Sequence, residues 1–491
     1  MTLSWTALDV AAALAAGIVA LIIVRRTARR SSRRALRRFK TRINRFKLTR
    51  KSYIRTTLVA DAAIESAVRV HAGEHKLPEA AAWKLVDTYI DEIVPHFNIF
   101  AYYRAGYVAS RLTLNFLYKV SLDYEDLDAL EKLPEDSVVI YLINHRSNAD
   151  YVLLAYVLAG DASISYAVGE WARAFPLEYV FKSFGSYFIR RQFREPLYHT
   201  VLERYVQLIT RNGVTQGIFP EGGLTRDGRL RPAKIGLLDY ALGVARDPDV
   251  ARRMVLIPVA LNYDRVLEDR TLLRELARKE EGVRVARMKQ AAEVLNYMGW
   301  NALRMLTGRW KRYGKAAVTI GKPMSIMPWL HAQQALHGDV LSLPRVQRLP
   351  IVQTLCDQVM ERIGAIIPVT PVALACAAIQ SLDRDFIPKR ELLARMAEMR
   401  DVLLELNAKV LRADGSIEET FDRAWRMLSM RHMLAEAGEG YAVLPDARPL
   451  VSYYANGVAH LLGEYETAVR ARDALPMLAI TGEFRALAVR R

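Results

Sequence analysis

The chain has 491 residues, 52% of them apolar and 25% charged, so it can bury more than one domain-sized core and is neither disordered nor collagen-like. Its two cysteines exclude a disulfide scaffold and a cysteine-based zinc cluster. Of the net charge of +17, the stretch from Arg25 to Lys51 contributes 14 Lys or Arg and no Asp or Glu, which leaves only +3 on the rest of the chain. That balance disfavours a general nucleic-acid-binding surface.

The first predicted element is an apolar helix over Trp5–Val24, whose single charge is Asp9. A helix of this length spans about 30 Å, the thickness of the hydrocarbon core of a bilayer. No Lys or Arg precedes the segment and Arg25 and Arg26 follow it, so the positive-inside rule predicts a cell-membrane anchor with the main body on the cytoplasmic side. The alternative is an Ala-rich helix that lies on the membrane or packs on the protein.

The basic stretch that follows is predicted to form an amphipathic helix. Arginine pairs recur at 29/30, 33/34 and 37/38, and an apolar stripe runs through Leu36, Phe39, Ile43 and Phe46. Such a helix favours an anionic phospholipid leaflet, at roughly 1 kcal/mol for each Lys or Arg near the surface. Nucleic-acid binding is the competing interpretation, but no nucleic-acid-binding motif accompanies the stretch.

Beyond residue 51 the periodicity predicts an α/β protein with a mostly parallel sheet and flanking helices. The predicted strands are Ser137–Asn144, 217–219, Met254–Asn262 and Ala316–Ile320. Predicted helices at 151–159, 196–211 and 232–246 lie between them. The predicted organisation is an anchor and basic helix over 1–51, a helical region over 52–130, an α/β domain over 131–382 and a C-terminal helical region over 383–491.

The most informative polar cluster, His145-Arg146-Ser147-Asn148-Ala149-Asp150, joins the first predicted strand to a helix. A carboxylate bonded to the Nδ1–H of a histidine fixes the tautomer and makes Nε2 a general base. The alternative is that Ser147 and Asp150 form a capping box and that Asp150 only closes the first helical turn.

Three further clusters carry weaker signals when each is taken alone. Arg190 and Arg191 follow an aromatic run and could bind phosphate, or they could be an exposed, solvated pair. Glu221-Gly222-Gly223 follows the second predicted strand and could offer backbone N–H groups to an anion, or it could be an ordinary turn. Pro258 lies inside an apolar strand, which favours an edge or a bulge.

Together, in this order and at these separations, the four clusters resemble the four blocks of the glycerolipid acyltransferase family. The branch of membrane-bound glycerol-3-phosphate acyltransferases, which includes the dihydroxyacetone-phosphate enzymes, is the most similar. His145-Arg146-Ser147 with Asp150-Tyr151 resembles its HRSxxDY block, GSYFIRRQF over 185–193 resembles G-x-x-F-I-R-R-x-F, and Glu221-Gly222-Gly223 resembles EGG. The chain departs from EGGRSR at Leu224 and Thr225, which shifts the expected phosphate contacts toward Arg226 and the arginine pair.

The resemblance implies transfer of a fatty acyl group from acyl-CoA or acyl carrier protein to the 1-hydroxyl of glycerol 3-phosphate. His145 is then the general base and Asp150 orients it. The residues assigned to binding the phosphate or glycerol are Arg146, Ser147, Arg190, Arg191, Glu221, Gly222, Gly223, Thr225 and Arg226, and Pro258 lines the pocket wall.

No cofactor is expected, and no metal is implied because the sequence has no ligand cluster with suitable spacing. The predicted partners are the two substrates and an anionic membrane, with no nucleic acid. The oligomeric state stays open. The alternatives are acylation of dihydroxyacetone phosphate or of a lysophospholipid, and an inactive membrane-anchored scaffold of the same fold.

Overall fold

The computed structural model describes residues 44–98, 106–158, 163–173, 177–190, 193–280 and 312–474. The predicted anchor Trp5–Val24, most of the basic helix and Arg191 lie outside these residues. Across the described ranges, no helix combines the length and the apolar character needed to cross a bilayer. Contacts divide the chain into a first unit, Met1–Leu112 with Tyr151–Gly217, and a second unit, Thr113–Asp150 with Ile218–Arg491.

The helices up to the end of the longest strand are α1 Lys51–Val59, α2 Ala62–His75, α3 Glu79–Ile93, α4 Tyr107–Leu117, α5 Leu127–Glu131, α6 Asp150–Val157, α7 Leu177–Ser183, α8 Pro196–Arg211, α9 Gly236–Leu242 and α10 Pro248–Arg253. Those after it are α11 Asp269–Glu280, α12 Met327–His337, α13 Arg345–Ala365, α14 Pro371–Leu382, α15 Lys389–Glu405, α16 Ile417–Met430, α17 Arg448–Asn456 and α18 Ala459–Ala474.

The strands are β1 Lys119–Tyr124, β2 Val138–Ile143, β3 Ser165–Val168, β4 Tyr187–Phe188, β5 Gln216–Ile218, β6 Met254–Tyr263, β7 Lys315–Ile320, β8 Met324–Ser325, β9 Phe386–Pro388, β10 Leu434–Ala437 and β11 Gly440–Val443. All four predicted strands are confirmed, as β2, β5, β6 and β7. The sequence did not predict β1, which lies in the stretch predicted to be helical and whose largely exposed side chains give a weak apolar pattern.

The first unit is built on α2, α3 and α8, which pack on one another. Helix α8 begins with a proline at its first turn, where no N–H is needed, and buries Val201, Tyr205 and Val206 on one face. Strand β3 pairs in parallel with β4 on one side and with the start of β5 on the other. The predicted helix over 196–211 is confirmed.

The second unit is built on strands β1, β7, β6 and β2, in that spatial order. Parallel pairing joins β1 to β7 and β2 to β6, whereas β6 runs antiparallel to β7 and to β8. Every residue of β6 is buried, as expected for a strand covered on both faces. Together with the pairings of β3, these ladders confirm the prediction of a mostly parallel sheet with flanking helices.

The last part of the second unit packs around α14, whose residues Pro371–Ile379 are all buried. Helices α15, α16 and α17 contact it. A small antiparallel sheet, β9 with β11 and β11 with β10, lies in this region that the sequence predicted as helical. The strands have only three or four residues, and the turn at Gly438, with φ of 55°, is the signal that sequence reasoning did not use.

Candidate active site

The loop after β2 is fixed to the middle of the sheet by the Asn144 side chain. Its amide Nδ2 donates to Leu261 O at 3.0 Å and its Oδ1 accepts from Leu261 N at 2.7 Å, so the side chain continues the ladder between β2 and β6. These two hydrogen bonds therefore fix the backbone just before His145. Sequence reasoning missed Asn144, although a buried asparagine at a strand end is a signal that could have identified it.

His145 and Asp150 are in contact, as the spacing predicted. The Nδ1 of His145 lies 2.9 Å from Asp150 Oδ2, and both side chains are almost fully buried, at 1% and 0% exposure. The imidazole stacks on the ring of Phe219, with 4.1 Å between ring centroids. A carboxylate that accepts the Nδ1–H places the imidazole lone pair on Nε2, the geometry that a general base requires.

The capping-box alternative is also realised, and by the same carboxylate oxygen. Ser147 Oγ accepts from Ala149 N at 3.1 Å, while Asp150 Oδ2 accepts from the backbone N–H of Ser147 at 3.0 Å. Arg146 N donates to that oxygen as well, at 2.8 Å. The two interpretations are therefore compatible, because the contacts that shape the helix start also hold Asp150 against the imidazole.

Tyr263 is a contact of Asp150 that sequence reasoning missed. Its hydroxyl, at the end of β6, donates to Asp150 Oδ1 at 2.6 Å. Burial, and next the charge of Asp150, raise the pKa of Tyr263 well above its ordinary value, which keeps the hydroxyl protonated as a donor. Both oxygens of Asp150 are thus held, one by the His145 loop and the other by the strand beside it.

The Glu221 carboxylate accepts hydrogen bonds from the backbone on both sides of the site. Its Oε1 accepts from His145 N at 2.8 Å and its Oε2 accepts from Arg231 N at 3.1 Å. Burial raises the pKa of Glu221 to about 7, against the opposing effects of Arg146 and of these two hydrogen bonds. The carboxylate therefore joins the loop after β5 to the loop after β2, and the predicted contact of Glu221 with the substrate stays a prediction.

The burial of Glu221 predicts a pH dependence of stability. Its pKa is about 7 when folded and 4.5 ordinarily, so between these values the folded chain binds the extra proton. The stabilisation is complete below 4.5 and is lost as the pH rises through 7. The side chain of Glu221→Gln cannot titrate, so this variant serves as the reference. The free energy of unfolding of the wild type minus that of the variant should increase as the pH falls from about 8 to 6. The increase is at most about 1.4 kcal/mol per pH unit.

Denaturant unfolding at several pH values measures this difference, with the exposed Glu131→Gln as the matched control. The control should follow the wild-type curve. Parallel curves for wild type and Glu221→Gln would show that Glu221 keeps an ordinary pKa.

Arg146 is buried, and its guanidinium bonds to backbone carbonyls. It donates to Gly228 O, and its NH2 donates to Gly457 O at 3.2 Å. Gly228 itself has φ of 85°, and a Cβ there would lie 1.8 Å from Tyr453 O, so this position requires glycine. Arg146 therefore ties the loop after β5 to the end of α17, a contact that the predicted role in substrate binding did not include.

The Ser147 hydroxyl accepts one hydrogen bond and donates another. Besides accepting from Ala149 N, it donates to Glu268 Oε2 at 2.7 Å, and Glu268 Oε1 accepts from Asn148 N at 3.2 Å. Burial raises the pKa of Glu268, with the hydrogen bond from Ser147 opposing the shift. A serine held in this way is part of the scaffold of the loop, which agrees with the capping role that the sequence offered for Ser147.

The loop over 219–228 lies beside His145 through backbone contacts. Thr225 N donates to His145 O at 3.2 Å, and the Thr225 hydroxyl donates to Asp227 Oδ1 at 3.0 Å. Gly222 has φ of 66°, which favours glycine, and Gly223 is buried. Arg226 is 40% exposed in its side chain and pairs with Glu275 at 3.2 Å, so its charge is accessible to a ligand.

Arg190 lies in the first unit, where Glu92 binds it. Its Nε donates to Glu92 Oε1 at 2.9 Å and its NH2 to Oε2 at 2.6 Å, while the guanidinium lies 4.7 Å from the Phe193 ring centroid. The exposed-pair alternative is therefore wrong for Arg190. Its predicted phosphate contact stays a prediction, as does that of Arg191, which lies outside the described residues.

Pro258 is buried in the middle of β6, not at an edge. On one side it lies between the residues of β6 that pair with β8, Val255 and Leu256, and the start of the ladder with β7 at Val259; on the other side it lies opposite Leu142 of β2. Its carbonyl accepts from Gly321 N at 2.8 Å. The predicted role of Pro258 in a pocket wall stays a prediction.

Two family models match the chain. One, described as acyltransferase, covers residues 126–262, and the other, described as the glycerol-3-phosphate acyltransferase C-terminal region, covers residues 300–464. The first range contains His145, Asp150 and the loop over 219–228. The second contains the helices around α14 and the Gly457 carbonyl that Arg146 binds.

Curated relatives include the glycerol-3-phosphate acyltransferases of Aeromonas hydrophila and Pseudoalteromonas translucida, each 27% identical over 84% of this chain and 50% of the relative. That of Colwellia psychrerythraea is 28% identical over 70% of this chain and 42% of the relative. The chain thus spans about half the length of the curated relatives it matches. Among solved structures, the 1-acyl-sn-glycerophosphate (LPA) acyltransferase, PlsC, from Thermotoga maritima is 18% identical, with a TM-score of 0.28 over 53% of this chain and 77% of that one.

The two model matches follow one another along the chain, the acyltransferase segment first and the C-terminal region of glycerol-3-phosphate acyltransferases second. The residues quoted for the family blocks at His145, Glu221 and Pro258 all fall in the first of these segments. These findings support the resemblance to the glycerolipid acyltransferase family that the four blocks indicate.

Proposed function

We propose that this chain transfers a fatty acyl group from acyl-CoA or acyl carrier protein to the 1-hydroxyl of glycerol 3-phosphate and so produces lysophosphatidic acid. The observation that carries the proposal is the 2.9 Å contact between His145 Nδ1 and Asp150 Oδ2 inside the segment that the acyltransferase model matches. The names of the curated relatives support glycerol 3-phosphate as the acceptor.

The contacts of His145 support a direct transfer. The Nε2 of His145 takes the proton of the glycerol 1-hydroxyl as its oxygen attacks the thioester carbonyl. When the tetrahedral intermediate collapses, the carbon–sulfur bond breaks and the thiolate takes the proton back from the imidazolium. Asp150 stabilises the positive imidazolium between these steps. No acyl-enzyme is needed, and the Ser147 hydroxyl is already held by Glu268.

Binding the substrate requires local rearrangement. His145 is 1% exposed, so a hydroxyl can come within hydrogen-bond distance of it only if neighbouring side chains move. The Arg226 guanidinium is half-open to solvent and can exchange Glu275 for a phosphate, with the backbone of Gly222 and Gly223 nearby in the same loop. Arg190 and Arg191 remain candidates for the phosphate on the basis of the sequence.

The proposed place of work is the cytoplasmic face of the cell membrane. Trp5–Val24 is the proposed anchor and the basic stretch up to Lys51 is proposed to lie on anionic headgroups. One substrate is then drawn from water and the product is released to the bilayer.

The acceptor is identified by supplying one labelled acceptor at a time to membranes that contain the full chain. Palmitoyl-CoA or palmitoyl acyl carrier protein serves as donor, and glycerol 3-phosphate, dihydroxyacetone phosphate or a lysophospholipid as acceptor. We expect labelled lysophosphatidic acid from glycerol 3-phosphate at a rate well above that of the other acceptors. A faster reaction with dihydroxyacetone phosphate or a lysophospholipid would identify that acceptor as the substrate. No turnover with any donor and acceptor would favour the alternative of an inactive membrane-anchored scaffold.

A further inference from the structure

A cluster of two histidines and a glutamate lies in the first unit, outside the residues of the acyl-transfer site. Helix α2 ends in His71-Ala-Gly-Glu-His75, and Glu195 immediately precedes the first residue of α8. Histidines four positions apart on a helix lie on one face, one turn from each other. Because α2 and α8 pack together, this face meets the start of α8.

The three side chains converge. His71 Nδ1 lies 3.0 Å from Glu195 Oε1, and the two imidazole rings stack with 4.1 Å between their centroids. One ligand atom from each residue lies within 4.8 Å of those of the other two. Zn–N bonds of about 2.0–2.1 Å place tetrahedral ligand atoms about 3.3 Å apart, so the three ligand atoms must draw closer when they bind an ion.

The hydrogen bonds of His75 suit a metal ligand. Its Nδ1 lies 3.1 Å from the carbonyl of His71, one turn earlier in the helix, and an Nδ1–H there donates to that oxygen. This bond leaves the lone pair on Nε2, and metal-ligating histidines commonly donate their other ring N–H to a backbone carbonyl in this way. If His71 and Glu195 formed only an ion pair, the hydrogen bond of His75 would have no part in it.

The burial of the three residues leaves an open side. The side chains of His71 and Glu195 are 7% and 20% exposed, whereas His75 is exposed. A metal ion at this point would have its two less exposed ligands on the inner side and would face solvent on the side of His75. Two imidazoles and one carboxylate are ligands that suit Zn²⁺, and imidazole also binds Cu²⁺ and Ni²⁺.

We propose that His71, His75 and Glu195 bind one divalent transition-metal ion of the Zn²⁺ class, which links the end of α2 to the start of α8. The sequence has no ligand cluster with suitable spacing and so predicts no metal, and Glu195 follows His71 by 124 residues. Such an ion would fix the segment that enters α8, in which Glu195 follows Arg190 by only a few residues.

The test is titration of the full chain, without a histidine tag and in detergent after treatment with a chelator, with Zn²⁺ and with Co²⁺. Calorimetry should give one tight site for Zn²⁺ in the wild type, and Co²⁺ should give visible absorption of low-coordinate geometry. His75→Ala, an exposed position, should weaken the affinity by more than about 10-fold, because losing even a residue that only supports a ligand costs 10–100-fold. Glu195→Gln should weaken it as well.

The matched control is His337→Ala, which removes another exposed histidine at the last position of a helix and should leave the affinity unchanged. The melting temperature without metal shows that each variant folds. Two outcomes would overturn the proposal: a wild type that takes up no Zn²⁺, or a His75→Ala variant that binds it as the wild type does. Acyl transfer is not read in this experiment, so it is independent of the proposed function.

Discussion

His145→Ala is expected to lower the rate of acyl transfer by roughly 10²–10⁴-fold, the usual contribution of a general base. The reason is that the variant keeps the donor and acceptor sites but has no group to take the hydroxyl proton. The measurement is initial formation of labelled lysophosphatidic acid by the full chain in membranes. Asp150→Asn should lose activity as well, because the neighbours of Asp150 are donors on both oxygens and an amide replaces one of these acceptor oxygens with an NH2 donor.

The matched control for this prediction is His331→Ala, an exposed histidine on α12, whose rate should equal that of the wild type. The backbone N–H of residue 145 still bonds to Glu221 in the alanine variant, so we expect the loop to stay folded. Turnover that survives in a folded His145→Ala protein would show that another group is the base.

Asp269→Ala is expected to lower the free energy of unfolding by about 3–5 kcal/mol, the typical cost of leaving one partner of a buried ion pair alone. Asp269 binds Arg431 through both oxygens, with 2.8 Å between Arg431 NH2 and Asp269 Oδ1, and the Tyr454 hydroxyl donates to the same carboxylate. The side chains of Asp269 and Arg431 are 2% and 5% exposed, so the variant takes the Asp269 charge away from a buried guanidinium.

Denaturant unfolding of the full chain measures this cost. Arg252→Ala is the control, because it removes an ion pair with Asp249 whose side chains are 68% and 81% exposed, and should change stability by less than about 1 kcal/mol. A double variant in which Arg431 becomes Met and Asp269 becomes Leu should recover much of the loss, since a buried pair replaced by apolar groups is often neutral. If Asp269→Ala lowers the free energy of unfolding by less than about 1 kcal/mol, the Asp269–Arg431 pair does not stabilise the fold as a buried ion pair.

Two neighbouring acids connect the His145 loop to the C-terminal region. Glu268 holds Ser147 and Asn148, and Asp269 holds Arg431 and Tyr454. Arg146 makes a second connection, to Gly457. The segment that the C-terminal family model matches is therefore part of the support of the loop that carries His145, and we expect its removal to disturb this loop.

The strands that the sequence predicted have a common feature. β2 and β6 are continuous apolar runs, and a buried strand in a parallel ladder is apolar on both faces. The sequence missed β1, whose side chains are mostly half-exposed or exposed, and β4, which has only two residues. Short or exposed strands gain their order from the neighbour they pair with, and that neighbour is distant in the chain.

The sequence by itself determined the strand–loop–helix unit at His145 and Asp150, because their contact closes over five residues and depends on local turn geometry. Only the tertiary structure decided the roles of side chains whose partners are remote. Arg146 bonds to a carbonyl 311 residues away, Glu221 to an N–H 76 residues away, and Tyr263 to Asp150 across 113 residues. A buried charge must find a partner wherever the fold provides one, and residue type alone does not say whether that partner is a ligand or the backbone.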